Sequence, residues 1–210
     1  WAQEHGNSPA NISVKNFALP GAVGQFGIAE VLQVSPREHV LLCRKLESTN
    51  SNYQKTALAT ITLNGKGKVG TPHVIFKFTG KIHSVKAVWP GKSNDHGLVF
   101  MFYQPENLVD MIGVPAYLMV AKIDKVGKVI GSWKTLYEIQ PEEFDYVSSG
   151  DIGVALSKDS VGVVLPWAYY RQSLWIWGII KGQVIFLETD FNGNRLPETL
   201  SLKLPNNGHY

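Results

Sequence analysis

A chain of 210 residues can build one substantial core, and an all-β domain of that length need not be split in two. Hydrophobic content of 44%, with 20 glycines and 11 prolines, excludes a disordered chain and fits a turn-rich globular protein. The net charge of +3 rests on scattered lysines rather than a basic tract, so nucleic acid is not an expected partner, and the one cysteine excludes an intrachain disulfide.

In chain order, residues 1–26 read as a leader. Trp1 stands where a methionine would, which points to a processed chain or a fragment, and Asn11-Ile12-Ser13 fits a glycosylation tripeptide. Within the leader, Asn11 to Leu19 reads as a strand ahead of the loop Pro20 to Gly24. The first unit, 27–80, holds strand patterns at Ile28–Val34, His39–Cys43, Thr56–Leu63 and Val74–Phe78. Cys43 falls in an apolar strand and is expected to be a buried thiol. Asn64-Gly65 is a short-range hairpin signal, because both residues tolerate positive φ.

The second unit, 81–148, repeats the pattern at Ile82–Val88, Gly97–Phe102, Ala116–Ile123 and Ser132–Ile139, with a turn at Asp124–Gly127. The third, 149–210, does so at Asp151–Leu156, Val161–Leu165, Gln183–Thr189 and Glu198–Leu204, with a turn at Asp190–Gly193. The turn glycines Gly65, Gly127 and Gly193 stand 62 and 66 residues apart. Self-similarity of that size marks a repeat architecture. No stretch of about 18 apolar residues is present, so no membrane span is expected.

Strands with a trailing aromatic followed by strands ending in an acidic Gly turn, as in Val161 to Trp167 and Val184 to Gly193, resemble bacterial β-propeller repeats. The resemblance implies an all-β fold of three four-stranded antiparallel blades. Propeller rings close with about four to eight blades. The partial ring is therefore expected to be completed by a second copy, another chain or another segment, with Asn11 to Leu19 finishing a neighbour's blade.

Few constellations point to chemistry. Gly65 to Gly70 spells G-x-G-x-x-G, but Thr71-Pro72 and a β run follow where a dinucleotide site needs a helix. Ser157 to Gly162 approaches the S-x-D-x-G box of sialidase propellers with its glycine one residue late. Glu142, Glu143 and Asp145 cluster in an expected linker, and the six histidines lack zinc-ligand spacing. No cofactor is expected. The one metal candidate is Ca²⁺ at Asp190, Asn192 and Asn194, which place oxygens at alternate loop positions, though Arg195 occupies the loop's glycine position.

The most informative stretch is Trp167 to Ile180, expected to connect the second and third strands of the third unit. Its counterpart in the second unit, Phe102 to Pro115, is also apolar. Trp and Tyr concentrate at contact hot spots and sugar platforms. Leu108, Val109, Met111, Tyr169, Tyr170, Trp175 and Trp177 are therefore the candidate contact residues. The expected function is a non-catalytic, exported or surface-exposed module that binds a protein partner. The alternative is a carbohydrate-active propeller, a lectin or glycoside hydrolase, with Trp89, Trp167, Tyr169 and Tyr170 as platforms.

Overall fold

A computed structural model describes residues 26–50, 53–91, 94–105, 113–142, 145–173 and 176–203. Among them there is no helix; every regular element is an antiparallel strand. The strands are β1 (Phe26–Ser35), β2 (Glu38–Asn50), β3 (Tyr53–Asn64), β4 (His73–Val88), β5 (His96–Pro105), β6 (Ala116–Asp124) and β7 (Val129–Ile139). They continue with β8 (Asp145–Ser149), β9 (Gly153–Leu156), β10 (Val161–Ser173), β11 (Ile176–Thr189) and β12 (Arg195–Lys203). Strands β1 to β7 pair in chain order; a second sheet runs β12-β11-β10-β8, with β9 also on β10.

β4 changes partner at Gly80. His73–Thr79 pair with β3, and Gly80–Val88 pair with β5. Gly80 is buried and has φ 144°, a conformation that a side chain opposes. The bend lets one strand end a first meander (β1 to β4) and begin a second (β4 to β7). In the third meander the opening strand is broken: β8 and β9 pair with successive parts of β10. Ser84 of β4 holds the break, accepting the Ile152 N–H at 3.1 Å and lying 3.4 Å from the Asp151 carboxylate.

The core follows from strand composition. Gly97-Leu98-Val99-Phe100-Met101-Phe102 of β5 is a continuous apolar run, the pattern of a strand buried on both faces. Successive side chains point to opposite faces. Val99 and Met101 pack with Leu32, Val40, Leu42 and Leu58 of the first meander. Leu98, Phe100 and Phe102 pack with Val163, Leu165 and Ile185 of the third. The second meander is thus a middle layer between two cores. A smaller cluster, Leu41, Cys43 and Ile61 with Val69, lies on the first meander's other face. Burial pushes the Cys43 thiol up to about 11.

Two expectations change. The stretches that read as connections between second and third strands, the polar Glu47 to Lys55 in the first unit and Trp167 to Ile180 in the third, are strand wherever they are described. Asn50 pairs with Tyr53, and Ser173 with Ile176, so β2–β3 and β10–β11 are long hairpins. A polar run such as Ser48 to Lys55 carries no apolar periodicity, which makes a strand end hard to place from sequence. Asp145 belongs to β8 rather than to a linker, because β10 extends far enough to pair with it.

Phe100 is fully buried at the centre of the middle layer. Phe100→Ala should cost roughly 3–5 kcal/mol, read as a shift in the urea midpoint; a shift under about 1 kcal/mol would contradict the double-sided core.

Candidate assembly surface

Each meander ends its third strand in the same five-residue loop. Asn64 Oδ1 accepts the N–H groups of Lys66 and Lys68 at 3.0 and 2.9 Å. Asp124 Oδ1 accepts those of Val126 and Lys128 at 3.0 and 2.8 Å. Asp190 Oδ1 accepts those of Asn192 and Asn194 at 2.9 and 2.8 Å. The fourth residue takes positive φ: 80° at Gly67, 83° at Gly127 and 71° at Gly193. This is a type I turn closed by a left-handed glycine. The repeat glycine of the first loop is therefore Gly67, not Gly65. The carboxamide two N–H bonds back outweighs the Asn-Gly dipeptide in shaping the turn.

These loops join the layers. Gly127 of the second meander sits on Thr60 of the first: Thr60 Oγ1 donates to the Gly127 carbonyl at 2.5 Å. A Cβ at Gly127 would lie 2.5 Å from that oxygen. Gly193 of the third meander sits on Val120 of the second, where a Cβ would lie 3.2 Å from Val120 Cγ1. Thr60 and Val120 are equivalent, each four residues before its own loop's Asn or Asp. Both are essentially buried, at 0% and 1% exposure. The two joints repeat one contact.

Polar contacts secure each joint. Trp133 Nε1 donates to the Ile75 carbonyl at 2.9 Å, and its ring meets Phe76 edge-on at 5.3 Å. Lys86 pairs with Glu30 at 2.8 Å. In the second joint His96 bridges the Asp95 carboxylate and the Phe191 carbonyl, both at 2.6 Å. The His96 bond holds the Asp95 carboxyl below its usual range. Arg195 donates to the Leu136 carbonyl at 3.1 Å.

The third equivalent position is Phe186, which stands open. Val164, Phe186 and Leu200 are cross-strand neighbours, as are Pro166, Val184 and Leu202. These residues share the face turned away from the core. Leu200 is 71% exposed, Leu202 58% and Phe186 36%. A groove of about 410 Å³ runs along this face over Gly153, Gly162, Val164, Phe186 and Leu200.

The contact residues expected from sequence fare differently. Leu108, Val109, Met111 and Trp175 lie outside the described residues, as does the side chain of Trp177, whose backbone pairs with Gln172. Tyr169 donates to the Gln140 carbonyl at 2.6 Å and packs edge-on against Trp167 at 4.7 Å; Tyr170 is half-buried. Trp167 is only 5% exposed and belongs to the core, whereas Trp89 packs over Gly97 and is half-buried. The open face on Phe186, Leu200 and Leu202 was missed. Its signal was present: β10 and β11 read as apolar on both faces, like β5.

At the Ca²⁺ candidate the oxygens serve the turn. Asp190 Oδ2 accepts Asn194 Nδ2 at 2.8 Å, and Lys134 Nζ lies 2.6 Å from Asn194 Oδ1. Partial burial raises the Asp190 pKa, but bonds from Asn194 and Asn192 and the Lys134 charge outweigh it and hold the carboxyl below its usual range. Among the described residues, no three His, Cys, Asp or Glu side chains are grouped to hold a metal. No helix among them is long and apolar enough to cross a membrane. In comparison with known proteins, no family model, no curated protein and no solved structure matches the chain.

Alanine at Gly67 should cost about 1–2 kcal/mol for its left-handed backbone alone. Gly127→Ala should cost more, because Thr60 obstructs its Cβ; equal losses in thermal unfolding would contradict the seat.

A pH effect follows from His83, whose pKa burial lowers from 6.5 to about 4, with Lys81 assisting and the Gln104 bond opposing. The folded state holds it neutral, so its contribution is full above the unfolded value of 6.5 and is lost as pH falls toward 4. Urea unfolding of His83→Gln should lose less stability than the parent between pH 7 and 4.5, by roughly 2 kcal/mol. An unchanged pH slope would contradict this assignment.

Proposed function

We propose that the chain is a non-catalytic, propeller-type assembly module: three four-stranded blades forming part of a larger ring, built to associate with protein. One observation carries the reading. The outer face of the third meander is apolar and open, whereas the equivalent positions of the first two are covered by the next meander. A soluble sheet with one free face ordinarily alternates apolar and polar residues. Here β12 directs Leu200 and Leu202 outward, with exposed Ser201 between them. Repeat proteins normally finish with a polar outer face, so the third meander is not built as a terminal unit. A contiguous exposed apolar patch of this kind marks an interaction site.

The histidines with resolved partners serve the structure. His83 is held by Gln104 and stacks near Phe102, and His96 bridges a joint.

An apolar dye such as anilinonaphthalene sulfonate should bind the folded chain and fluoresce, and Phe186→Asp with Leu200→Glu should remove most of that signal without lowering the thermal midpoint appreciably. Undiminished fluorescence in the folded double variant would overturn the reading.

A further inference from the structure

Resting on that reading, we infer the kind of partner the open face takes: a further four-stranded antiparallel meander whose third-to-fourth-strand loop is Asx-x-x-Gly-x, with its glycine seated over Phe186. The two internal joints specify this occupant. Thr60 receives Gly127, and Val120 receives Gly193, at one position of the repeat. Phe186 is the third member of that series and is 36% exposed.

The surroundings of the seat are conserved in kind within the chain but rescaled. Beneath Gly127 lies Val40, and beneath Gly193 lies Leu98. Each of these pairs with the residue two before its loop's Asn or Asp, as Gly162 does through Glu188. The third seat therefore exchanges a bulky neighbour for glycine while placing the larger Phe186 at the centre. That exchange leaves the groove over Gly153 and Gly162. An incoming unit fits with an apolar side chain entering the groove and a loop whose glycine meets the Phe186 ring.

A second copy of this chain is the poorer occupant. In a head-to-tail stack its first meander would have to present the face bearing Leu41, Cys43 and Ile61. Those residues are already buried within one chain, at 6%, 1% and 0% exposure. Val69 packs over them at the centre of that face, although Ile28 and Val31 on β1 and Val74 on β4 are 55%, 49% and 47% exposed beside them. A separate repeat unit covers the third meander's open face without displacing Val69.

The test supplies such a unit to the full chain. Residues 145–203, the third meander itself, are repeated after Tyr210, so that residues 204–210 act as the connection. The extended chain should unfold with a midpoint at least about 5 °C above the parent. Hydrogen exchange should slow at Val164, Phe186 and Leu200 of the original unit. Phe186→Asp in that unit should cancel both effects. A second extension repeating residues 81–142 provides the same readouts should the first added unit not fold. If neither extension raises the midpoint or protects the face, the inference is overturned. It is also overturned if the unextended chain runs as a dimer in light scattering and Phe186→Asp makes it monomeric, since the occupant is then a second copy. In both cases dye binding by the parent chain still reports the open face, so the broader reading stands or falls separately.

Discussion

The structure depends on how closely a backbone can approach a neighbouring sheet. At Gly127 the carbonyl comes within hydrogen-bond distance of Thr60 Oγ1, an approach that any Cβ would prevent. The same glycine must hold a left-handed φ to close its hairpin loop. One residue type thus meets two demands: it turns the chain, and it sets the spacing between layers. Repeated at Gly193, that contact stacks the third meander on the second as the second stacks on the first.

Once the spacing is set, the composition of the strands follows. The middle layer faces a core on each side, so β5 is apolar without interruption. The joints add a few directed bonds to this non-directional packing: Trp133 to Ile75, His96 to Phe191 and Arg195 to Leu136. Each ties a side chain of one meander to a backbone carbonyl of its neighbour. Such bonds fix the register of the layers, which apolar contact alone would leave free to slide.

The two outer faces differ in how their central residues are covered. On the first meander's outer face Leu41, Cys43 and Ile61 are buried with Val69 packed against them, while Ile28, Val31 and Val74 stay half exposed beside them, and burial raises the Cys43 thiol pKa. The third meander's outer face carries Phe186, Leu200 and Leu202 into solvent. Fully burying an exposed apolar side chain stabilises by about 1.5–3 kcal/mol, and Leu200 and Leu202 forgo most of that here.

The residues alone determined a good deal. Alternating apolar residues and Asx-Gly turns marked an all-β antiparallel chain in three similar passages, because strand periodicity and left-handed glycines are local properties. Local signals also misled: Asn64-Gly65 suggested a two-residue turn, whereas the side chain of Asn64 bonds forward and moves the left-handed position to Gly67. Strand ends at Trp167 to Ile180 and the strand at Asp145 depended on how far β10 extends, which no local pattern records. Only the tertiary structure decided which apolar residues are covered. Trp167 read as a sugar platform and lies in the core; Phe186, read only as part of a strand, lies open. A side chain's chemistry is written in the chain, but its exposure is set by whatever stacks against its sheet.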